Sequence, residues 1–142
     1  MNYVRFMSIN ELKKYLSGAV LKNSTDWKRR AKNTGSVGFC FFDDSVEPEE
    51  RLEYLAGVVN TECVAVFERR STEEMKKTSG MYRDPNEIIP DNLFDALFQE
   101  PEMIEVPEYS VEKYSQKDMR LIKAGAPYMM PGSRMEVQWF EW

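Results

Sequence analysis

Residues 3–18 read YVRFMSINELKKYLSG, and this stretch decides the start of the fold. Tyr3–Met7 is a short β-prone run and predicts a strand. Ser8, followed three residues later by Glu11, is typical of a helix N-cap, so a helix begins there. Gly18 is well placed to end that helix in a left-handed conformation. The stretch therefore predicts a strand, a helix and a glycine turn in immediate succession.

Apolar spacing predicts a second helix farther along the chain, with Pro48 in its first turn. The predicted buried stripes are Leu12, Tyr15 and Leu16 in the first helix and Leu52, Leu55, Ala56 and Val59 in the second. Proline suits the first turn of a helix because the backbone N–H that it lacks has no partner there. We therefore expect two helices to pack against the sheet through one apolar face each.

The remaining strong patterns are those of strands. The predicted strands are Ser36–Phe42, Cys63–Phe67, Arg120–Lys123 and Met135–Trp142, with Glu108 opening another late strand. Ser71–Met103 is the least core-like part and is expected to be irregular, with a short helix around Asn92–Phe98. Strands outnumber long helices, which favours an α+β fold: a small mixed or antiparallel sheet with two or three helices in one domain, residues 1–142.

Composition excludes several classes of protein. The chain has 142 residues, 42% of them apolar, and contains no histidine, which excludes catalytic triads, HExxH zinc sites and other imidazole chemistry. A net charge of -5 argues against a general nucleic-acid coat or a binder of anionic membranes. No apolar run is long enough for a signal peptide or membrane span, so we expect a cytoplasmic protein. Cys40 and Cys63 are expected to be free thiols in a reducing compartment.

Three places along the chain form the most informative constellation. Arg5 lies in the first strand, Thr34-Gly35-Ser36 leads into the next strong strand, and Glu108 begins a late one. In this order they resemble the Arg-Ser-Glu layout of ADP-ribosyltransferase-like domains. The resemblance implies an NAD-dependent transferase in which Arg5 holds the dinucleotide phosphates, Ser36 braces the site and Glu108 acts at the ribose.

The late segment gives the resemblance its best support. Residues 108–111, 114–118 and 120–123 look like the stretch in which these enzymes place the catalytic glutamate, a short turn and the next core strand. A further likeness, to small bacterial and phage proteins that begin with a Tyr-x-Arg-Phe-Met-Ser strand and share a Gly-Phe-Cys-Phe-Phe strand, brings no known activity.

The residue types suit that chemistry. Cleavage of a nicotinamide glycosidic bond passes through an oxocarbenium-like transition state, which a carboxylate such as Glu108 would stabilise. A guanidinium such as that of Arg5 binds two phosphate oxygens at once, which an ammonium does not. Ser36 would hydrogen-bond the glutamate or the ribose, and the backbone at Gly38 would approach the ligand closely.

The chain departs from the family pattern in two places. Thr34-Gly35-Ser36 replaces the usual Ser-Thr-Ser triplet, and Val106 occupies the acidic or glutamine position two residues before the glutamate. Glu105 is an alternative active carboxylate, and a strand would place Glu105 and Glu108 on opposite faces. Asp43-Asp44 is interpreted as a turn, and no metal site is expected. The target specificity therefore stays open.

Two further interpretations compete with the enzyme. In the first, the chain is a non-catalytic acidic inhibitor of phage or mobile-element origin, which binds in a basic groove on a host protein such as a defence-complex subunit. Alternatively, it would be a plain scaffold or a subunit of an assembly. The three aromatics of Trp139-Phe140-Glu141-Trp142 would either plug the core or form part of a binding patch. The enzyme requires Arg5, Ser36 and Glu108 to meet in one cleft, whereas the inhibitor requires only a contiguous acidic or aromatic face.

Overall fold

A computed structural model describes residues 1–22, 38–55, 61–84, 87–88, 90–130 and 134–141. In chain order the elements are β1 (Asn2–Met7), α1 (Ile9–Leu16), β2 (Leu21–Lys22), β3 (Phe39–Asp43), α2 (Pro48–Leu55), β4 (Cys63–Arg69), β5 (Lys76–Arg83), α3 (Leu93–Phe98), β6 (Met103–Val111), β7 (Lys113–Tyr114), β8 (Met119–Met130) and β9 (Arg134–Trp139). Among these residues, no helix is both long and apolar enough to cross a bilayer.

Seven strands form one sheet in the order β5-β6-β3-β1-β4-β8-β9. Every neighbouring pair in that sheet is antiparallel. A second, two-stranded sheet pairs β2 with β7. The α+β prediction is confirmed at this level: the described part is mostly antiparallel sheet with three helices.

Two apolar clusters line the two faces of the large sheet. The first-face cluster consists of Met7, Leu12, Tyr15, Leu21, Phe41, Cys63, Ala65, Phe67, Tyr114, Met119 and Ala124. The second-face cluster consists of Val4, Phe6, Phe42, Leu52, Val64, Val66, Val106 and Val137. Alternate residues of each central strand contribute to opposite clusters, because successive side chains of a strand point to opposite faces. The unbroken apolar run of β4 follows from burial on both sides.

Helix α1 covers the first face and follows the sequence prediction closely. Its N-cap Ser8 accepts a hydrogen bond through Oγ from the Glu11 backbone N–H at 3.1 Å. Gly18 has φ +84°, the left-handed conformation expected after the helix. The prediction for Leu16 is wrong, because this last residue of α1 is 50% exposed and lies beyond the edge of the first-face cluster.

Helix α2 covers the second face and lies against both edge strands, β5 and β9. It begins at Pro48, as predicted, and its Leu52 is fully buried. The buried Arg51 guanidinium donates to the backbone oxygen of Asp43 at 3.0 Å and to its Oδ1 at 2.9 Å, and lies 5.3 Å from the centre of the Phe42 ring. This contact ties α2 to the end of β3.

The prediction of an irregular Ser71–Met103 segment is wrong in part. Strand β5 lies within it and pairs with β6 over its whole length. The sequence pattern did not predict this strand because its residues are mostly polar. An edge strand with one solvent-facing side needs few apolar residues. The short helix predicted around Asn92–Phe98 is confirmed as α3.

The other predicted strands agree with the structure, with changed bounds. Glu108 does not open β6 but lies well inside it, because β6 begins at Met103. The strand predicted at Arg120–Lys123 is part of the much longer β8, and the last strand is β9. Ser36, Ala56 and Val59 lie outside the described residues.

Replacing Leu52 by alanine should lower the free energy of unfolding by about 2–5 kcal/mol, because it leaves a cavity between α2 and the sheet. The same change at the half-exposed Leu16 should cost less than about 1 kcal/mol. Urea unfolding measures both losses, and the change of side chain, from leucine to alanine, is the same at the two positions. Equal losses would show that α2 does not seal the second face as described.

Candidate functional site

Arg5 projects from β1 into the first-face cluster and is held by an ion pair. Its Nε donates to Glu11 Oε2 at 2.6 Å, its Nη2 donates to Glu11 Oε1 at 2.7 Å, and its Nη1 donates to the Cys40 backbone oxygen at 2.8 Å. The two parallel bonds to one carboxylate are the strongest arrangement open to a guanidinium. All three nitrogens of the group are therefore engaged inside the protein.

Aromatic rings enclose this ion pair. The guanidinium carbon of Arg5 lies 5.0 Å from the centre of the Phe39 ring and 5.6 Å from that of Phe41. The Tyr114 hydroxyl donates to Glu11 Oε2 at 2.7 Å. Burial acts to lower the pKa of Arg5, but the hydrogen bond and charge of Glu11 outweigh it and raise that pKa. Burial, followed by the charge of Glu11, raises the pKa of Tyr114. Arg5 therefore stays charged and the Tyr114 phenol stays neutral throughout the physiological pH range.

Glu108 projects from β6 on the same side as Val106 and is only 5% exposed. The Tyr82 hydroxyl of β5 donates a hydrogen bond to its Oε1. Room for the carboxylate comes from Gly80, where an added Cβ would lie only 2.6 Å from Glu108 Oε1. Val106 belongs to the second-face cluster and Tyr82 packs against it. Glu108 is therefore a buried carboxylate of the second face.

The structure does not bring Arg5 and Glu108 together. Arg5 lies among the rings of the first face, whereas Glu108 lies with the second-face cluster, and β3 separates their strands. Glu105 is exposed on the opposite side of β6 from Glu108, as the strand period predicted. Gly38 stands just before β3 with φ +144°, and Ser36 lies outside the described residues.

Neither Cys40 nor Cys63 forms a disulfide, as expected. Burial is the main cause that raises the pKa of Cys63 to about 11, so this thiol is protonated at neutral pH. Cys40 is half-buried next to the Arg5 ion pair. Within the described residues, no cluster of three cysteines or carboxylates is arranged to hold a metal ion.

The connection between β5 and β6, residues 84–102, forms what we call the acidic arm. It contains six carboxylates, Asp84, Glu87, Asp91, Asp95, Glu100 and Glu102, and no lysine or arginine. Sequence reasoning identified its helix but missed the run of acids without a base. That signal was present in the sequence, because the charges of residues 84–102 all have one sign.

Helix α3 sits in the acidic arm and buries none of its apolar side chains. Leu93, Phe94, Leu97 and Phe98 are between 68% and 75% exposed. The Phe94 and Phe98 rings contact each other with their centres 4.9 Å apart. A Leu-Phe pair that recurs after four residues has the spacing of a buried helical stripe. Only the tertiary structure shows that these side chains are exposed.

Hydrogen bonds connect the described residues of the arm. Asn92 caps α3 by accepting from the Phe94 N–H at 2.8 Å. The Gln99 side chain donates to Glu87 Oε1 at 3.1 Å and to the Ile88 backbone oxygen at 2.9 Å. At the base of the arm, the Asp84 N–H donates to the Glu102 backbone oxygen at 2.9 Å. Described residues before α3 are therefore hydrogen-bonded to residues after it.

The two described aromatics at the end of the chain divide between core and surface, and Trp142 lies outside the described residues. Trp139 packs against the second-face cluster, and the Lys123 ammonium lies 4.0 Å from the centre of its ring. Phe140 is exposed. The last strand thus contributes to the core mainly through Trp139 and Val137.

Comparison with protein-family models, with curated proteins and with solved structures finds no match to this chain. The geometry of its own residues therefore carries the functional argument.

Replacing Glu11 by glutamine should destabilise the protein by about 3 kcal/mol, because it leaves the charge of Arg5, whose side chain is only 14% exposed, without a counter-ion. Glu74→Gln, at an exposed position, is the matched control and should change the free energy of unfolding by less than about 0.5 kcal/mol. The measurement is urea unfolding at pH 7.

A double variant, Arg5→Met with Glu11→Leu, removes both partners of the ion pair. It distinguishes the loss of their attraction from the cost of leaving one charge without a partner. This double variant should be more stable than Glu11→Gln, because no buried charge is left without a partner. A double variant less stable than the single one would contradict this account of the ion pair.

Proposed function

We propose that this chain is a protein-binding module that places helix α3 in an apolar groove with a basic rim on a partner protein. The observation that carries the proposal is the exposure of all four large apolar side chains of α3 on an arm with six carboxylates and no base. Monomeric proteins seldom expose a contiguous apolar patch of this kind unless it serves a contact.

The apolar side chains supply the driving force. Burying a leucine or phenylalanine side chain fully contributes about 1.5–3 kcal/mol, so the four side chains of α3 contribute roughly 6–12 kcal/mol. Association itself costs about 4–15 kcal/mol, so apolar burial alone gives weak binding at best. A pre-formed arm loses less conformational freedom on binding, which lowers the cost of association. Charge attraction between the arm and its partner adds a further favourable contribution.

Charge determines which partner is suitable. A second copy of this chain would bring two acidic arms together, and like charges at short distance oppose such a dimer. A groove lined by apolar residues and bordered by lysine or arginine matches both features of the arm. Oppositely charged surfaces also speed association, and salt weakens this effect.

The spacing along α3 fits recognition of a helix in a groove. Leu93 and Leu97 are four residues apart, and so are Phe94 and Phe98, which gives two adjacent columns on one helix face. Amphipathic helices are read in this way by apolar grooves, through anchors at helical spacing. The contact between the two phenylalanine rings keeps them side by side for insertion.

The NAD-dependent ADP-ribosyltransferase hypothesis stays a prediction with less support. Arg5 would have to leave Glu11 and the Cys40 backbone oxygen before it could bind a pyrophosphate. Arg5 and Glu108 also project from opposite faces of the sheet. An acidic, apolar arm needs no such rearrangement to bind a protein.

Calorimetric titration of NAD into the purified protein distinguishes the two functions. We expect no saturable heat, because each nitrogen of the guanidinium proposed to bind the phosphates already donates to a group inside the protein. Glu108→Gln and its exposed neighbour Glu105→Gln form a matched pair. Saturable heat that is lost in the first variant and kept in the second would favour the enzyme instead.

Replacing Phe94 and Phe98 by serine should leave the fold intact and abolish partner binding. The experiment places a photo-cross-linking amino acid at Ala96 in cells that make the protein, identifies the cross-linked partner and purifies it. Calorimetry with that partner should show a loss of affinity of at least about 100-fold in the double variant, since two anchors are removed. Raising the salt concentration should weaken the wild-type complex.

Val20→Ser combined with Phe140→Ser is the control, because both side chains are exposed but lie outside the arm. This variant should bind like the wild type. A partner that binds the Phe94 and Phe98 variant as tightly as the wild type would overturn the proposal. So would a complex whose affinity does not depend on salt.

A further inference from the structure

A shallow pocket of about 540 Å³ lies near the end of helix α1, away from the acidic arm. Its lining residues are Tyr15, Leu16, Arg70, Gln116, Arg120 and Leu121. They come from the end of α1, the residue after β4, the turn before β8 and the start of β8. A volume of this size is in the range of sites for small molecules.

Hydrogen bonds hold the walls of the pocket in place. The Tyr15 hydroxyl donates to the Met119 backbone oxygen at 2.5 Å and accepts from the Leu121 N–H at 2.9 Å. The Gln116 side chain donates to the Tyr15 backbone oxygen at 3.0 Å. The Arg70 N–H donates to the Asp118 backbone oxygen at 2.8 Å. The pocket is therefore pre-formed rather than made by a ligand.

The two arginines of the pocket differ in their pairing. Arg120 Nε and Nη2 donate to the two carboxylate oxygens of Glu68 at 3.3 and 3.2 Å. Arg70 is exposed, and no carboxylate of the described residues forms an ion pair with its guanidinium. Among the described residues, Arg70 is thus the cation of the pocket that no carboxylate hydrogen-bonds, and the charge of Glu68 acts on it only at longer range. This cation stands on a chain whose net charge is -5.

An apolar wall stands beside this charge. Leu16, which the helical pattern places in the core, instead lines the pocket and is half exposed, and Leu121 is half-buried next to it. Water covers this wall when nothing is bound, so a ligand with an apolar part would gain free energy by displacing it. The pocket therefore combines a cation, an amide group and an aliphatic surface.

We propose that this pocket binds a small organic anion, whose oxyanion pairs with Arg70 and whose apolar body lies on Leu16 and Leu121. A guanidinium accepts either a carboxylate or a phosphate ester through two parallel hydrogen bonds. The ligand is thus a carboxylic acid or phosphate monoester that carries an aromatic or aliphatic group. This binding is independent of the partner contact through α3.

Titration followed by backbone NMR tests this site with four probes: phenyl phosphate, benzoate, inorganic phosphate and benzyl alcohol. Phenyl phosphate or benzoate should shift the amide signals of Leu16, Gln116 and Leu121 saturably. Inorganic phosphate, which lacks the body, and benzyl alcohol, which lacks the charge, should each bind at least about tenfold more weakly. Comparing the two aromatic anions tells a phosphate site from a carboxylate site.

Arg70→Gln should weaken binding of the better anion by roughly tenfold or more, because a charge-assisted pair is lost. Lys13→Gln changes the net charge equally at an exposed position of α1 outside the pocket, and it should bind as the wild type does. Unchanged amide signals elsewhere verify that both variants are folded. Absence of saturable shifts with both aromatic anions, or equal affinity in Arg70→Gln and the wild type, would overturn the proposal.

Discussion

The buried charge of Arg5 is the constraint on which the first face of the sheet depends. A guanidinium among phenylalanine rings is tolerated only with a counter-ion and with acceptors for its nitrogens. Glu11 provides the counter-ion from α1, and the Cys40 backbone provides the last acceptor from β3. Tyr114 then binds the same carboxylate from β7. One ion pair thereby fixes how β1, α1, β3 and β7 meet.

The second face is organised by a different polar contact. Arg51 attaches α2 to the end of β3, while Glu108 fills the space that Gly80 leaves between β5 and β6. The two charged side chains that the chemistry of a dinucleotide site would use, those of Arg5 and Glu108, are thus engaged within the fold. Glu11 neutralises Arg5 on one face, and Glu108 accepts from Tyr82 on the other.

The candidate binding sites of this protein therefore lie at its surface, in the acidic arm and the arginine pocket. The acidic arm and the arginine pocket have opposite charge, and they arise from different parts of the sheet: the β5–β6 connection and the turn before β8. A glutamine side chain hydrogen-bonds the backbone beside the exposed apolar side chains at both places. Gln99 does so in the arm, and Gln116 does so beside the pocket. An apolar surface that is both exposed and held rigid favours binding, because less conformational freedom is lost on contact.

The sequence by itself determined the local elements. The strand, cap, helix and glycine of residues 3–18, the apolar run of β4 and the proline-led α2 follow from propensity and spacing, which act over a few residues. The absence of histidine and the acidic composition likewise limit the chemistry without any structure. The α+β class followed from the number of these elements.

Only the tertiary structure decided which residues meet. Period-two alternation gives Arg5 and Glu108 a face each, but the register of β6, β3 and β1 determines that these faces are opposite ones. Strand β5 exists because β6 pairs with it, and its polar residues give no local signal. Leu16, Phe94 and Phe98 have the spacing of buried residues, yet they are exposed because no element of the described fold covers them. Burial depends on contacts between distant segments, and the order of residues along the chain does not specify them locally.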